Sequence, residues 1–397
     1  MSQLSVNAEQ AAVPFYRDVK KLAVIAQIIF LVVVMAAILV LINNVSVGLK
    51  KQDLSFGFGF VTQTAGFQVA EGTAFGLPYD SSNDNIIKVI LVGLYNTLRI
   101  AIIGMVLATL LGVLVGIARL SSNWLLNRVA LVYVEILRNT PLLVQLVVWY
   151  FIVVLQLPAI GNVQPVAGVY LSNSGLALPW MVQKPDAINF FPFTILAVVI
   201  GLAVFAFFSQ QRNKSGKPIP AGQFGIAAWV GMLLLSFFVL GQPLEYGVPI
   251  RGNFGVNGGL TISPEFTALL VGLVVYTSSF IAEITRAGIQ SVHKGQWEAA
   301  RALGLGYAET LQLIILPQAL RVMIPPLGNQ YLNLTKNSSL AVAIGYSDVL
   351  NVLNTTGNQS GQNLQTMVIA GGIYLVLSLT IATIVNTYNR ATKLKTR

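Results

Sequence analysis

The chain has 397 residues, of which 55% are hydrophobic and only 10% are charged, and its mean hydropathy is +0.72. A soluble domain carries roughly a quarter charged residues, so this chain has too little polar surface to cover its core in water, and lipid must cover much of it. The net charge of +10 would suggest a nucleic-acid partner in a soluble protein, but the cations fall in short clusters between apolar runs, which indicates membrane orientation. Because cysteine is absent, disulfides and thiolate metal sites are excluded, and the single histidine, His293, argues against a histidine-built metal centre.

Apolar runs then follow one another along the chain, each near the length of about 20 residues that a membrane-spanning helix needs. The first run follows Arg17, Lys20 and Lys21 and passes into polar residues without the cleavage site of a signal peptide, which predicts a retained anchor. The predicted spans lie near 22–42, 88–118, 129–157, 190–209, 224–241, 266–288, 318–345 and 366–388. The sequence therefore predicts an all-α integral membrane protein with about eight transmembrane helices.

The charges between these spans predict which side of the membrane each loop faces. The loops assigned to the cytoplasm carry Arg119, Arg128, Arg212, Lys214, Lys217, Lys294, Arg301, Arg390, Lys393, Lys395 and Arg397. The loops assigned to the outside carry mostly acids, namely Asp53, Glu71, Asp80, Asp84, Asp186, Glu245 and Asp348, with Lys50, Lys51, Lys184 and Arg251 as exceptions. Since cytoplasmic loops are enriched in Lys and Arg, both termini are predicted to be cytoplasmic.

Gly104, Ala108, Gly112 and Gly116 place small residues on one face of the second span, which predicts close packing against another helix.

Residues 295–317, between the sixth and seventh spans, carry the most informative pattern. Strong helix formers run from Glu298 to Leu303, and Gly304 can adopt the positive φ that ends a helix. A second short helix from about Tyr307 to Leu316 would then lead into Pro317 and the next span. The pattern predicts a compact helix–turn–helix on the basic side of the membrane, which a groove on a soluble partner could receive. His293, beside it, is interpreted as a solvated loop residue.

This pattern resembles the EAA loop of ABC importer permeases, in which Glu-Ala-Ala, three residues, Gly, nine residues, Ile, one residue and Leu-Pro follow one another. The matching residues are Glu298, Ala299, Ala300, Gly304, Ile314, Leu316 and Pro317. In that family the loop forms the coupling helices that insert into the ATP-binding subunits. The alternative is an ordinary amphipathic cytoplasmic helix.

Three further stretches resemble the signatures of polar amino-acid permeases, at 133–145, 280–288 and 333–340. The resemblance covers about 88–157 and 262–390, whose five spans correspond to a minimal permease of the type I importer fold. Asn139 stands where many relatives carry Gly, a change that could alter the local turn.

The remaining segments divide the chain into four parts. Residues 1–87 hold the cytoplasmic N-terminus, the extra first helix and an external loop, and 88–157 form the first part of the permease core. An insert at 158–261 holds external loops and two extra transmembrane helices, and 262–397 form the second part of the core with the coupling loop. This longer form resembles the larger permease subunits of general L-amino-acid importers, which pair with a second, related permease.

Three helices carry polar residues at helical spacing inside their spans. The three stripes are Glu135, Arg138 and Gln145; Tyr276, Ser279, Glu283 and Arg286; and Asn329, Asn333, Lys336 and Asn337, just beyond a break expected at Pro325 and Pro326. Pro141 interrupts the first stripe and removes a backbone donor, which favours a kink or an exposed carbonyl. Ionisable groups in a bilayer usually face a protein interior or a water-filled path, so these stripes are candidates for a translocation path that replaces the hydration of an amino-acid zwitterion. The alternative is that Glu135–Arg138 and Glu283–Arg286 are internal salt bridges, or lie at the cytoplasmic ends of their helices.

No phosphate-binding loop occurs, since Gly216-Lys217 is followed by Pro218, and no set of catalytic groups can be assembled from one histidine without cysteine. The chain is therefore expected to hold no cofactor and to catalyse no reaction. The resemblance implies two separate ATP-binding subunits that hold ATP and Mg, a second permease subunit, and an external binding protein that delivers amino acids at the bacterial inner membrane. The rival interpretations are a secondary transporter or channel, a membrane scaffold or receptor, and, last, a membrane-embedded enzyme.

Overall fold

The computed structural model describes residues 19–51, 57–69, 77, 79–184, 187–188, 190–215, 219–252 and 256–392. Several charged residues used in the loop assignment lie outside these ranges, namely Arg17, Asp53, Glu71, Asp186, Lys217, Lys393, Lys395 and Arg397. The structure likewise does not describe the side chains of Lys20, Lys50, Lys214 and Arg390. The chain divides into two compact units, of which the first ends at Gly59 and the second begins at Phe60.

The first unit contains one long helix, α1 (Val19–Lys51), which includes the predicted first span. Apolar side chains are exposed on all sides of this helix, including Ile29, Phe30 and Leu41. A helix that is apolar all round is stable only inside a protein or a membrane. The prediction of a membrane-spanning first helix agrees with its length and composition.

The second unit is mostly helical. Its helices are α2 (Ile86–Ala118), α3 (Trp124–Asn139), α4 (Leu142–Val147) with a π-helical continuation over Val148–Val154, α5 (Phe191–Ser215), α6 (Ala221–Val239), α7 (Pro264–Gln290), α8 (Lys294–Ala302), α9 (Tyr307–Thr310) with a π-helical continuation over Leu311–Ile315, α10 (Leu316–Asn337), α11 (Val349–Ser360) and α12 (Asn363–Thr392). Short 3₁₀ helices lie at Gly59–Thr62, Ile160–Asn162 and Ser338–Ile344. Among the described residues, seven helices are long and apolar enough to cross a membrane, or eight if the bent pair α3–α4 counts as one span. The predicted number of spans is confirmed on that count.

The predicted third span, 129–157, is not one straight helix. Helices α3 and α4 meet at an angle of 105° around Pro141. Thr140 has extended backbone angles, as expected for a residue that precedes proline, and Pro141 has no N–H to continue the helical ladder. The side chain of Gln145 donates to the carbonyl oxygens of Leu137 at 2.9 Å and Thr140 at 3.0 Å, which satisfies two acceptors that the break leaves open.

The centre of the second unit is the pair α2–α7. All four small residues of the predicted face are buried. A Cβ atom on Gly112 would lie 2.6 Å from Cβ of Ile281, and one on Gly116 would lie 2.6 Å from Cβ of Thr285. The prediction of a close helix contact along this face is confirmed, because only glycine leaves room for the neighbouring helix.

The segment between α4 and α7 contains the predicted extra hairpin, formed by α5 and α6, which pack along each other. It also contains short antiparallel strands that the sequence analysis missed. Strands β1 (Tyr170–Ser172), β2 (Gly175–Leu178) and β7 (Leu260–Ile262) form one sheet in that order; β3 (Trp180–Gln183) pairs with β4 (Leu244–Gly247), and β5 (Ile250–Arg251) pairs with β6 (Val256–Asn257). Strands of two to four residues are too short to produce an alternating pattern that can be recognised in a sequence.

Two boundaries near the seventh span were predicted wrongly. Pro325 and Pro326 lie inside α10, so the expected break is absent, and the helix continues to Asn337. The second helix of the coupling loop is not separate either, because the helical segment that begins at Tyr307 continues into α10 with Pro317 in its first turn. Prolines are tolerated inside membrane helices when neighbouring groups satisfy the carbonyls that they release. Helix α11, which follows, was not predicted.

Candidate functional site

The coupling loop begins with α8, and both of its ends are capped. Nδ1 of His293 accepts a hydrogen bond from the backbone N–H of Gly295 at 3.1 Å, so His293 is exposed as predicted but serves as the N-cap. At the other end Gly304 has φ = +76°, and its N–H donates to the carbonyl of Arg301 at 2.9 Å, while that of Leu305 donates to Ala300 at 3.1 Å. This pair of hydrogen bonds is the Schellman motif, which requires a residue with positive φ. The predicted helix end at Gly304 is confirmed.

The turn after Gly304 is fixed by several side chains. Glu309 accepts a hydrogen bond from the N–H of Gly306 at 3.0 Å, and the rings of Trp297 and Tyr307 stack with centroids 5.8 Å apart. Nε2 of Gln318 donates to Oε1 of Gln296 at 3.2 Å, which ties α8 to the first turn of α10. The loop therefore has a defined shape before any partner binds.

The two faces of the loop differ in burial. Ala300 is buried against the rest of the chain and Leu316 is half-buried, whereas Glu298, Ala299, Gly304 and Pro317 are exposed. Two large apolar side chains next to them also face outward, since Leu303 is 77% exposed and Tyr307 is 66% exposed. A small exposed surface that combines apolar side chains with an acidic residue is suited to a protein partner.

Glu283, near the end of α7, lies between two arginines. Its Oε2 accepts a hydrogen bond from Nη1 of Arg119 at 2.6 Å, and its Oε1 accepts from Nε of Arg286 at 3.1 Å and also from Nη2 of that residue. The predicted Glu283–Arg286 salt bridge is therefore confirmed. The second partner, Arg119, was assigned to a loop; it is the C-cap of α2, and only the packing of α2 on α7 brings it to Glu283.

The first predicted polar stripe is split by the bend at Pro141. Glu135 and Arg138 are exposed on α3, whereas Gln145 is buried on α4 and caps the end of α3. The expected Glu135–Arg138 salt bridge is not among the ion pairs of the described residues, because Glu135 accepts from Asn139 at 3.2 Å and the guanidinium of Arg138 lies over the ring of Phe280 at 5.2 Å. These three residues thus share no single face.

The other two stripes have different surroundings. On α7, Ser279 is buried and donates to the carbonyl of Tyr276 at 2.6 Å, while Tyr276 itself packs on Phe280. On α10 the polar residues form one continuous stripe, since Asn329, Asn333 and Lys336 are exposed and Asn337 is half-buried. The stripe on α10 is the part of the predicted path that the chain leaves most open.

The sequence did not predict a buried polar cluster that lies near the start of α11. Asp348 accepts hydrogen bonds from the N–H of Asn351 at 2.8 Å and from the hydroxyl of Tyr374 at 2.9 Å. The hydroxyl of Thr97, on α2, accepts from the N–H of Val349 at 3.1 Å. Asp348 lies between two membrane-spanning segments, and burial raises the pKa of its carboxyl to about 6. In the sequence Asp348 is only an acid in a predicted loop, where charged residues are usually exposed, so its burial could not be predicted.

The fold and the site together define a multi-pass membrane protein with an exposed, capped helix–turn–helix. The family model described as binding-protein-dependent transport system inner membrane component matches residues 224–392. The general L-amino acid transport system permease protein AapQ of Rhizobium johnstonii is 40% identical over 94% of this chain and 92% of that protein. The putative amino-acid ABC transporter permease protein YhdX of Escherichia coli is 40% identical over 92% of each chain. The glutamate/glutamine/aspartate/asparagine transport system permease protein BztB of Rhodobacter capsulatus is 37% identical over 96% of each.

The chain therefore belongs to the family of amino-acid ABC transporter permeases, and the family predicted from the coupling loop is confirmed. It is a multi-pass protein of the inner membrane. Because the alignments cover more than nine-tenths of the chain, they include most of the N-terminal segment and the insert.

Proposed function

We propose that this chain is the permease subunit of an ATP-driven importer that takes up amino acids delivered by an external binding protein. The observation that carries the proposal is the exposed, doubly capped turn at Gly304 within a chain that is 40% identical to amino-acid permeases over nearly its full length. A preformed turn with outward apolar side chains can bind a soluble partner and transmit its movement without an entropic cost of ordering the turn.

The coupling surface consists of Glu298, Ala299, Gly304 and Pro317, with Ala300 and Leu316 packed beneath it. The two ATP-binding subunits, which hold the ATP and the Mg, lie beneath the coupling helices of the two permease subunits, of which this surface is one. Its side of the membrane is the cytoplasmic one, and both termini face that side, as the distribution of Lys and Arg favours. In this proposal the chain keeps the four parts defined from the sequence, 1–87, 88–157, 158–261 and 262–397. The coupling loop lies in the last of them, the second part of the permease core.

The second permease subunit is a related chain, so that the pair is a heterodimer. The substrate class follows from the relatives, whose names include general L-amino acids and the acidic amino acids with their amides. The exposed stripe of Asn329, Asn333, Lys336 and Asn337 contributes to the path, because amide and ammonium groups can replace the water around a substrate carboxylate. Glu135 and Arg138 are exposed and are candidates for the same path. In Glu283 both carboxylate oxygens are already engaged by arginines, so this residue and Arg286 hold the helices rather than the substrate.

The test is ATP-dependent uptake of radiolabelled amino acids into proteoliposomes that hold this chain with its second permease, its ATPase and its binding protein. We expect uptake by the wild type only with ATP, and at least about a tenfold loss with Gly304→Asp, because a side chain at a positive φ strains the turn and adds a charge to the coupling surface.

The matched control is Gly361→Asp. Gly361 has φ = +69°, and a Cβ atom added to it would meet no atom within 4 Å, as at Gly304, but it follows α11 and is remote in sequence from the coupling loop. We expect the control to keep most of its uptake. Uptake by the wild type without ATPase would contradict the proposal and favour a secondary carrier.

A further inference from the structure

Glu283, on α7, is linked to the end of α2 through Arg119, and Arg119 in turn contacts α3. Arg119, which binds Glu283, ends α2, and the carbonyl oxygen of Arg119 accepts a hydrogen bond at 2.5 Å from Nδ2 of Asn127 on α3. Arg286 donates through Nη1 to Oε1 of Gln290, the last residue of α7, at 2.5 Å. The same set of side chains therefore contacts the last turns of α2 and α7 and the first turns of α3.

Charge explains why Glu283 is needed at this junction. Two guanidinium groups bind its carboxylate directly, those of Arg119 and Arg286. Without Glu283, these two cations would lie close together at the ends of packed helices with no anion between them. The Arg119 side chain is only 14% exposed and that of Glu283 is 26% exposed, so screening by water is weaker than at an open surface.

The helix contact next to this junction is close. Helices α2 and α7 meet at Gly112 and Gly116, where Ile281 and Thr285 of α7 lie against the backbone of α2. Glycines allow this close approach, but they carry no side chain that could form an ionic or hydrogen-bonded link to α7. The ionic contacts of Glu283 begin one turn beyond Gly116 and supply a directional link between the two helices.

The coupling loop lies directly after this link. Helix α7 ends at Gln290 and α8 begins at Lys294, so only three residues separate the end of the clamped helix from the coupling helix. We propose that Glu283 is a positioning residue that clamps α2 to α7 through Arg119 and Arg286, so that a displacement of α8 moves both helices together. This inference rests on the proposed function, because it assigns a role in the coupling of ATP hydrolysis to transport.

The experiment measures two rates in the same proteoliposomes, the uptake of amino acids and the hydrolysis of ATP, for the complete complex. The ratio of the two rates is independent of how much protein is folded. In Glu283→Gln and in Arg119→Gln we expect this ratio to fall at least about tenfold, while ATP hydrolysis stays within about threefold of the wild type. The control is Arg128→Gln, which removes the same charge from an exposed position on α3, and we expect its ratio to match that of the wild type.

Exchanging the two charges distinguishes a role in transmitting the movement of α8 from a role in the stability of the fold. The double variant Arg119→Glu with Glu283→Arg restores opposite charges at the contact between α2 and α7, and we expect it to recover more than half of the lost ratio. Arg119→Lys keeps the charge without the planar donor pair, and we expect an intermediate ratio. This variant also keeps the test decisive if Glu283→Gln fails to assemble.

Two results would overturn the clamp. A wild-type ratio in Glu283→Gln would show that α2 follows α7 without it, and an equal decrease of uptake and hydrolysis would show that the cluster only stabilises the fold. Failure of the proposed function has a different signature, because the wild-type complex itself would then show no ATP-dependent uptake.

Discussion

The helix pairs α2–α7 and α5–α6 both approach closely at glycines, but they differ in the polar side chains that they bury. In α5–α6 a Cβ atom on Gly201 would lie 2.8 Å from Cβ of Trp229, which is nearly as tight as the 2.6 Å approach at Gly112 in α2–α7. The core pair, however, also buries polar side chains, among them Asn96, Thr97, Thr277, Ser278 and Thr285, whereas the hairpin buries Ser236 among its described residues.

The difference shows that glycine contacts set only the distance between helices. Directional contacts between the helices come from the polar groups that the close approach brings together, as Glu283 with Arg119 illustrates. The described part of the hairpin lacks such pairs and exposes apolar side chains such as Leu202 and Phe238, so it is suited to lipid or to an apolar neighbour.

The largest effect is expected from overpacking the core pair. Gly112→Leu would force Ile281 and the carbonyl of Ser278 away from α2, and we expect a loss of about 3 kcal/mol of stability. The measurement is the melting temperature of the purified chain in detergent. The control is Gly371→Leu, on α12, where a Cβ atom meets nothing within 4 Å; equal melting temperatures of the two variants would contradict a close α2–α7 contact.

A smaller effect is expected from the buried acid that α2 helps to enclose. Because the pKa of Asp348 is raised to about 6 in the folded chain, its contribution to stability is fully present below the unfolded pKa of about 3.9 and is lost as the pH rises through 6. We expect the wild type to be about 1 kcal/mol more stable at pH 5 than at pH 7.5 from this group.

Asp348→Asn removes the titrating carboxyl and keeps a side-chain acceptor for the N–H of Asn351. We expect the difference between the two pH values to shrink by that amount, as measured by thermal unfolding at both. The same pH dependence in wild type and variant would show that another group is responsible.

The smallest effect on transport is expected from the hairpin. Gly201→Leu creates the same kind of clash as Gly112→Leu, but against Trp229 of α6, and we expect α5 and α6 to separate locally. Because polar clusters like those of the core do not occur in the described part of the hairpin, uptake should remain within about twofold of the wild type. A loss of uptake as large as that caused by Gly112→Leu would show that the hairpin takes part in transport.

Much of the architecture was predictable because it depends on local properties of the sequence. Long apolar runs identify the spans, and Gly304 with the helix formers before it identifies the end of α8. The prediction failed where local signals conflict with the environment. Pro325 and Pro326 indicate a break in water, yet the helix continues within the membrane-spanning segment. At Pro141 the sequence predicted a kink or an exposed carbonyl, but not the size of the bend, which is 105°.

The candidate site was predictable in part, for a related reason. The Glu283–Arg286 pair lies within one helix at a spacing of three residues, so the sequence contains the whole contact. Arg119 lies 164 residues from Glu283, and Tyr374 lies 26 residues from Asp348, so neither partner can be found by helical periodicity. The same limit applies to Gln145, which appeared to share a face with Glu135 until the bend separated their helices.

The sequence by itself determined the membrane class, the number of spans, the family and the coupling turn, because hydropathy, charge bias and a capped helix depend on neighbouring residues. Only the tertiary structure decided which charges meet, which acid is buried and where a span bends, because these depend on how α2, α7, α11 and α12 pack together. The energy of an ionised side chain depends on its partners and on its exclusion from water, and both are properties of the packed chain.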